Sequence, residues 1–268
     1  MIERLRNGLE SPKHRRIVAL AMLAAVMAGL ALAATRSVRL ARQISDPRNR
    51  AFIQWGTGDE EERRALMTIR QGEACLGAPF SLPADGFIGL LYGDPRPPYT
   101  PVRPHQGIDI FSLGEPGVTP VYAAYDGYLT REPGWISSLI IRVPDDPLEP
   151  GRQIWLYYTH MANASGDEDY IVDEFPQGTQ EAFVRRGTLL GYTGIYNGNS
   201  PRGIWVHLHF SIVRDDGSGG YTNELEFDNT IDPSRYLGMA VNYGCAPVVP
   251  TCTPNPLCRD AVLSAGGG

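Results

Sequence analysis

The chain has 268 residues, 43% of them apolar, enough material for the core of a globular protein with appendages. Its net charge of −6 divides into +6 over residues 1–45 and −12 over residues 46–268, with no lysine after Lys13. Neutralising phosphates requires clustered cations, so this acidic body excludes nucleic acid as a partner.

Arg4, Arg6, Lys13, Arg15 and Arg16 precede an uninterrupted apolar run, Ile17 to Ala34. Its 18 residues reach the lower range for crossing a bilayer as a helix. No polar residue gives the run a solvent face, which argues against a buried globular helix. The run is longer than the usual apolar core of a signal peptide, yet Ala31-Leu32-Ala33 offers a small-residue cleavage site. The basic residues before it outnumber those shortly after it, Arg36, Arg39 and Arg42. That bias predicts residues 1–16 on the cytoplasmic side and a single-pass anchor over 17–34 with the body outside; secretion after cleavage is the alternative. His14 belongs to this basic segment and to targeting.

From Thr35 to about Gln71 the sequence reads as helical. AFIQW is followed by GDEEERRALMTIRQ, with acids leading and arginines following, as a helix dipole prefers. Residues 35–75 are thus a helical stalk, a linker or a packed helix. From about Phe80 short β-rich runs separated by Gly and Pro take over: GFIGLLYG, GIDIF, TPVYAAYDGYLTR, SSLIIRV, IWLYYTHM, TLLGYTG and WVHLHFSIV. They predict a mainly antiparallel β domain, with DPSRYL (232–237) as a closing helical turn. Two acidic insertions, Asn163–Gln180 and Arg214–Asn229, either wall a groove or are ordinary solvated loops. Residues 244–268 form a Cys- and Pro-rich tail whose Ala-Gly-Gly-Gly end is expected to be disordered. Cys75, Cys245, Cys252 and Cys258 make disulfides the default in an exported protein, and no C-x-x-C spacing suggests a cysteine zinc site. Three pairings are open; Cys75–Cys245 with Cys252–Cys258 would staple the edges of the domain.

Four of the five histidines fall in three clusters: His105 with Asp109 in HQGID, His160 in YYTHM, and His207 with His209 in VHLHF. In a strand, residues i and i+2 share a face, so His207 and His209 project side by side. Pro104 and Gly107 place His105 in a turn feeding the strand that carries Asp109. Strand alternation puts His160 at its strand's end, on the face of Ile154, Leu156 and Tyr158. Two imidazoles and one carboxylate suit Zn²⁺, and three protein ligands leave a fourth position open, as catalytic zinc sites do. No H-E-x-x-H is present, which excludes a thermolysin-like arrangement.

In this order, HQGID, VYAAYDGYL, YYTHM, VRRGTLLGYTG and VHLHF resemble the lysostaphin and LytM type of peptidoglycan zinc endopeptidase, over about Phe80 to Leu237. The resemblance implies an antiparallel β-sandwich-like single catalytic domain, placed at residues 76–243, with a groove across one sheet. It implies that His105, Asp109 and His209 hold Zn²⁺ and that His160 and His207 are the catalytic pair. It further implies that peptidoglycan peptides, cross-bridge or stem, are the substrate, and a membrane-tethered body fits such a substrate. Trp205-Val206 ahead of the H-x-H departs from the small or Pro residue usual there, at a position that shapes the groove floor. Family members that lost their ligands act as regulators of other wall hydrolases. A silent peptidoglycan-binding regulator or structural envelope protein on the same domain is therefore the alternative.

Overall fold

The structure is a computed structural model and describes residues 12–198, 204–249 and 255–258. Cys252, the closing Ala-Gly-Gly-Gly and the basic residues Arg4 and Arg6 lie outside the described residues. The chain divides into two compact units, Met1–Arg50 and Ala51–Gly268. The first holds α1 (Pro12–Ser45), within which Val18–Ser37 is long and apolar enough to cross a membrane.

The second unit takes in the end of α2 (Pro47–Thr57) and α3 (Glu60–Arg64). Asp59 caps α3: its side chain accepts from the Glu62 amide while the Glu62 carboxylate accepts from the Asp59 amide. The helical reading to Gln71 overshoots. Thr68 leaves the helix because its backbone exchanges hydrogen bonds with Gly86 at 2.7 and 3.1 Å, a tertiary pairing that outweighs local propensity.

Among the described residues ten strands follow: β1 (Phe87–Leu90), β2 (Ile108–Phe111), β3 (Pro120–Tyr122), β4 (Gly127–Thr130), β5 (Leu139–Val143), β6 (Ile154–Thr159), β7 (Ala182–Val184), β8 (Leu189–Tyr192), β9 (His207–Arg214) and β10 (Thr230–Ile231). Eight form one open antiparallel sheet in the order β1-β2-β9-β6-β5-β4-β7, with β10 also on β9, while β3 and β8 pair separately. The domain is thus mainly antiparallel β, as expected. The turn at DPSRYL is α4 (Ser234–Leu237), closed by Gly238 at φ +64°.

Alternation along the strands divides the large sheet into two faces. Ile108, Ile110, Leu208, Phe210, Leu156 and Tyr158 turn into the main core, which Val121 of β3 and Leu190 of β8 close from the other side. The opposite face carries Asp109, Phe111, His207, His209, Thr159, Trp155 and Val213. Two satellite clusters sit on it: Ala51, Trp55, Phe87, Leu90 and Phe111 at the β1 end, and Ile140, Trp155 and Val213 beyond His209. Cys245 is bonded to Cys258, so the pairing of Cys75 with Cys245 does not occur; Cys75 is itself in a disulfide.

Candidate metal centre

Strands β2 and β9 pair so that Asp109 faces His209 and Phe111 faces His207, which brings two sequence clusters about a hundred residues apart into register. His105 joins from the turn before β2. Its Nε2 lies 3.0 Å from His209 Nδ1 and 3.2 Å from Asp109 Oδ1, and His209 Nδ1 lies 2.9 Å from the same oxygen. All three residues are buried and offer one ligand atom each to a shared point.

The lone pairs on these atoms make the cluster receptive to a cation. His105 Nδ1 donates to the Leu91 carbonyl at 3.2 Å, which leaves Nε2 as an acceptor. That acceptor and the Asp109 carboxylate both face His209 Nδ1, so two acceptors compete for at most one proton. The three donor atoms lie 2.9, 3.0 and 3.2 Å apart, a few tenths of an ångström inside the ~3.4 Å edge of a tetrahedron with metal–ligand distances near 2.1 Å. The residues therefore fit a metal ion. Gly107 makes room: a Cβ there would lie 3.0 Å from the His209 ring and 2.3 Å from the Phe210 carbonyl oxygen. On the far side, His209 Nε2 is buried without a hydrogen-bond partner, and the nearest carboxylate oxygen, Glu224 Oε2, stands 3.8 Å away.

His160 reaches the same face by a route that alternation does not give. Ile154, Leu156 and Tyr158 point into the main core, and Tyr158 accepts there from the Ala124 amide at 2.9 Å; the metal face of β6 is that of Trp155, Tyr157 and Thr159. The strand ends at Thr159, and His160 takes φ +76°, a left-handed conformation that redirects its side chain. Its ring centroid lies 4.5 Å from that of His207 and 6.1 Å from that of His209. Both outer imidazoles are held by Nδ1, His160 on the Tyr196 carbonyl at 2.5 Å and His207 on the Trp205 carbonyl at 2.7 Å. Since a carbonyl only accepts, Nδ1 carries the proton and each Nε2 is free to work.

Charge follows from this packing. Burial alone would raise the Asp109 carboxyl, but the charges and hydrogen bonds of His105, His207 and His209 hold it well below the usual range. Burial, then the neighbouring His207 and His209, push His160 down to about 3. Burial also lowers His207, against the pull of Asp109. Burial pulls His209 down, but its hydrogen bond to Asp109 and the charges of Asp109 and Glu224 together raise it.

Three residues escaped the sequence reading. Tyr99 stacks on His105 with centroids 4.4 Å apart, and burial together with the nearby Asp109 raises its phenol. Phe52 stacks on Trp205 at 5.9 Å. Glu224 brings the 214–229 loop to the site, which Gln106 anchors by donating to the Leu225 carbonyl at 3.0 Å. No spacing rule marks any of them, because each reaches the site through tertiary packing. The 163–180 loop is tied elsewhere, through Asp169 to Arg131 at 2.9 Å.

No family model matches the chain, and no curated protein sequence matches it. Among solved structures it is similar to LytM- and lysostaphin-type peptidases. Csd3 of Helicobacter pylori is 17% identical over 69% of this chain and 38% of that one, with a TM-score of 0.36. A LytM glycyl-glycine endopeptidase candidate of Ruminococcus gnavus is 23% identical over 56% and 51%, at 0.34. Lysostaphin of Staphylococcus simulans is 17% identical over 70% and 61%, at 0.34. The chain thus spans less than two thirds of each of these proteins.

Proposed function

We propose that the chain is a zinc-dependent endopeptidase of the lysostaphin and LytM type, cutting peptide bonds in peptidoglycan from a membrane-anchored position outside the cytoplasm. The convergence of His105, Asp109 and His209 on one point, with two further imidazoles presenting Nε2 beside it, carries this reading. The motif order and the N-terminal apolar helix support the wall-peptide substrate. In this reading His105 Nε2, Asp109 Oδ1 and His209 Nδ1 hold the ion, and residues 76–243 supply the catalytic domain.

A zinc ion bound there would supply a Lewis acid for the scissile carbonyl and acidify water to a pKa near ~7. His160 and His207 move the protons. His160, kept neutral by burial, offers Nε2 as the base. His207, lowered by burial and held through Nδ1, presents a free Nε2 of its own; the proton that His160 takes from the attacking water passes to the leaving amine, so both imidazoles end the turnover neutral. Phe111 of the first satellite cluster stacks on His207 with ring centroids 5.0 Å apart and covers that ring.

The test has two parts. The purified protein should carry one zinc per chain by elemental analysis, and it should release peptide fragments from purified cell wall, seen by mass spectrometry, until a chelator is added. His209→Ala should lose the metal. His160→Ala and His207→Ala should keep it and lose about 10²- to 10⁴-fold in turnover. A zinc-free protein, or cleavage indifferent to chelator, overturns the reading.

A further inference from the structure

Beside His160 and His207 a cavity of about 470 Å³ opens. Its walls are Phe52, Leu90, Pro97, Pro98, Phe111 and Trp205. Apart from Asp109 and the two histidines, no lining residue is ionisable at neutral pH. Arg96 stacks its guanidinium 5.1 Å from the Phe52 ring and is paired with Asp94 at 2.5 Å.

Two of these walls are aromatic rings that stack on each other. Phe52 comes from α2, ahead of the segment that carries the family resemblance, and is fixed edge-on against Phe87 at 5.7 Å and Phe111 at 5.4 Å. Trp205 stands two residues before His207 and stacks on Phe52 with ring planes 21° apart. It remains 48% exposed, so much of its surface is available to a ligand.

We infer that Phe52 and Trp205 form a selective subsite for an uncharged apolar side chain on the substrate residue next to the cleaved bond. The inference rests on the endopeptidase reading for its occupant, because whatever fills this cavity touches the imidazoles that act on the bond. A glycyl residue leaves the aromatic walls in water and forgoes the gain from burying them. A carboxylate loses hydration, and among the described residues no cation lines the cavity to meet it. A leucyl side chain does neither.

Blocked peptides that differ only in having glycine, leucine or glutamate beside the target bond test this. Binding is measured by calorimetry on the chelator-treated full chain, where cleavage is off, and kcat/KM on the zinc-loaded chain. Leucine should bind about tenfold more tightly than glycine or glutamate, a size typical of apolar side-chain discrimination. Phe52→Ala and Trp205→Ala should each bring that ratio below about threefold, and Phe52→Leu should preserve more of it. Truncating the exposed Trp205 separates lost selectivity from lost folding. A ratio unchanged in both alanine variants, a preference for glycine or glutamate, or no binding of any peptide overturns the subsite. Selective binding without cleavage by the loaded enzyme would instead remove the endopeptidase reading and leave the subsite standing.

Discussion

His160 concentrates the chemistry and the cost of the site in one residue. Its φ of +76° is a left-handed conformation uncommon outside Gly, Asn, Asp and His, and its imidazole is pushed down to about 3. An unfolded chain takes up a proton at this ring near pH 6.5, whereas the folded one refuses it until about 3. Between those values the unfolded state holds more protons, so stability is full above about 6.5 and falls as the pH drops toward 3. Denaturant unfolding of the metal-free protein across this range should show that decline. His160→Asn, which tolerates the left-handed backbone, should flatten part of it. A slope identical in the variant would assign the decline to other groups. Glu224 acts at the opposite edge. Its carboxylate stands 3.8 Å from His209 Nε2 and acts on that ring through its charge. Glu224→Ala should weaken zinc affinity about 10- to 100-fold, read by competition with a chelating dye, while Glu224→Gln should lose less. The five residues of the site were legible in the sequence because type and spacing mark them. Glu224 was not, since nothing in TNELEF distinguishes one acid from its neighbours. The orientation of His160 was misjudged because alternation fails where a strand ends in a positive φ.

At the scale of elements, α2 is a wall rather than a spacer. Trp55 is buried and its ring lies 5.3 Å from that of Phe87, while Phe52 extends the same aromatic layer to Trp205. Trp55→Ala should therefore cost about 3–5 kcal/mol in denaturant unfolding, as aromatic truncations in cores do. A stalk would lose almost nothing. The β runs were readable from their alternation and turn residues, and the pairing of β2 with β9 follows from the need to bury one face of each. β7 was missed because AFV is too short to show a period and lies after an acidic loop. The stretch after α3 was misread because ALMTIRQ has good helical propensity, while the bond that decides its course, Thr68 to Gly86, is tertiary. Gly86 is suited to that contact: a Cβ there would stand 2.4 Å from the Phe111 carbonyl oxygen.

At the scale of the whole chain, the two units have opposite relations to water. Ala51–Gly268 encloses a continuous core, whereas Val18–Ser37 buries none of its apolar surface within the protein. Twenty residues of helix span about 30 Å at 1.5 Å each, the thickness of the hydrocarbon layer. Cleavage after Ala33 would release a body of net negative charge from this helix. Retention would confine it to wall peptides within reach of the bilayer. The length of the run and the basic residues ahead of it favour retention. The full chain expressed in bacteria should then stay in the membrane pellet after alkaline carbonate washing, dissolve only in detergent, and show by intact mass that residues 17–34 remain. A soluble product whose mass begins beyond Ala33 would show that the segment serves export alone, and that the proposed enzyme acts untethered.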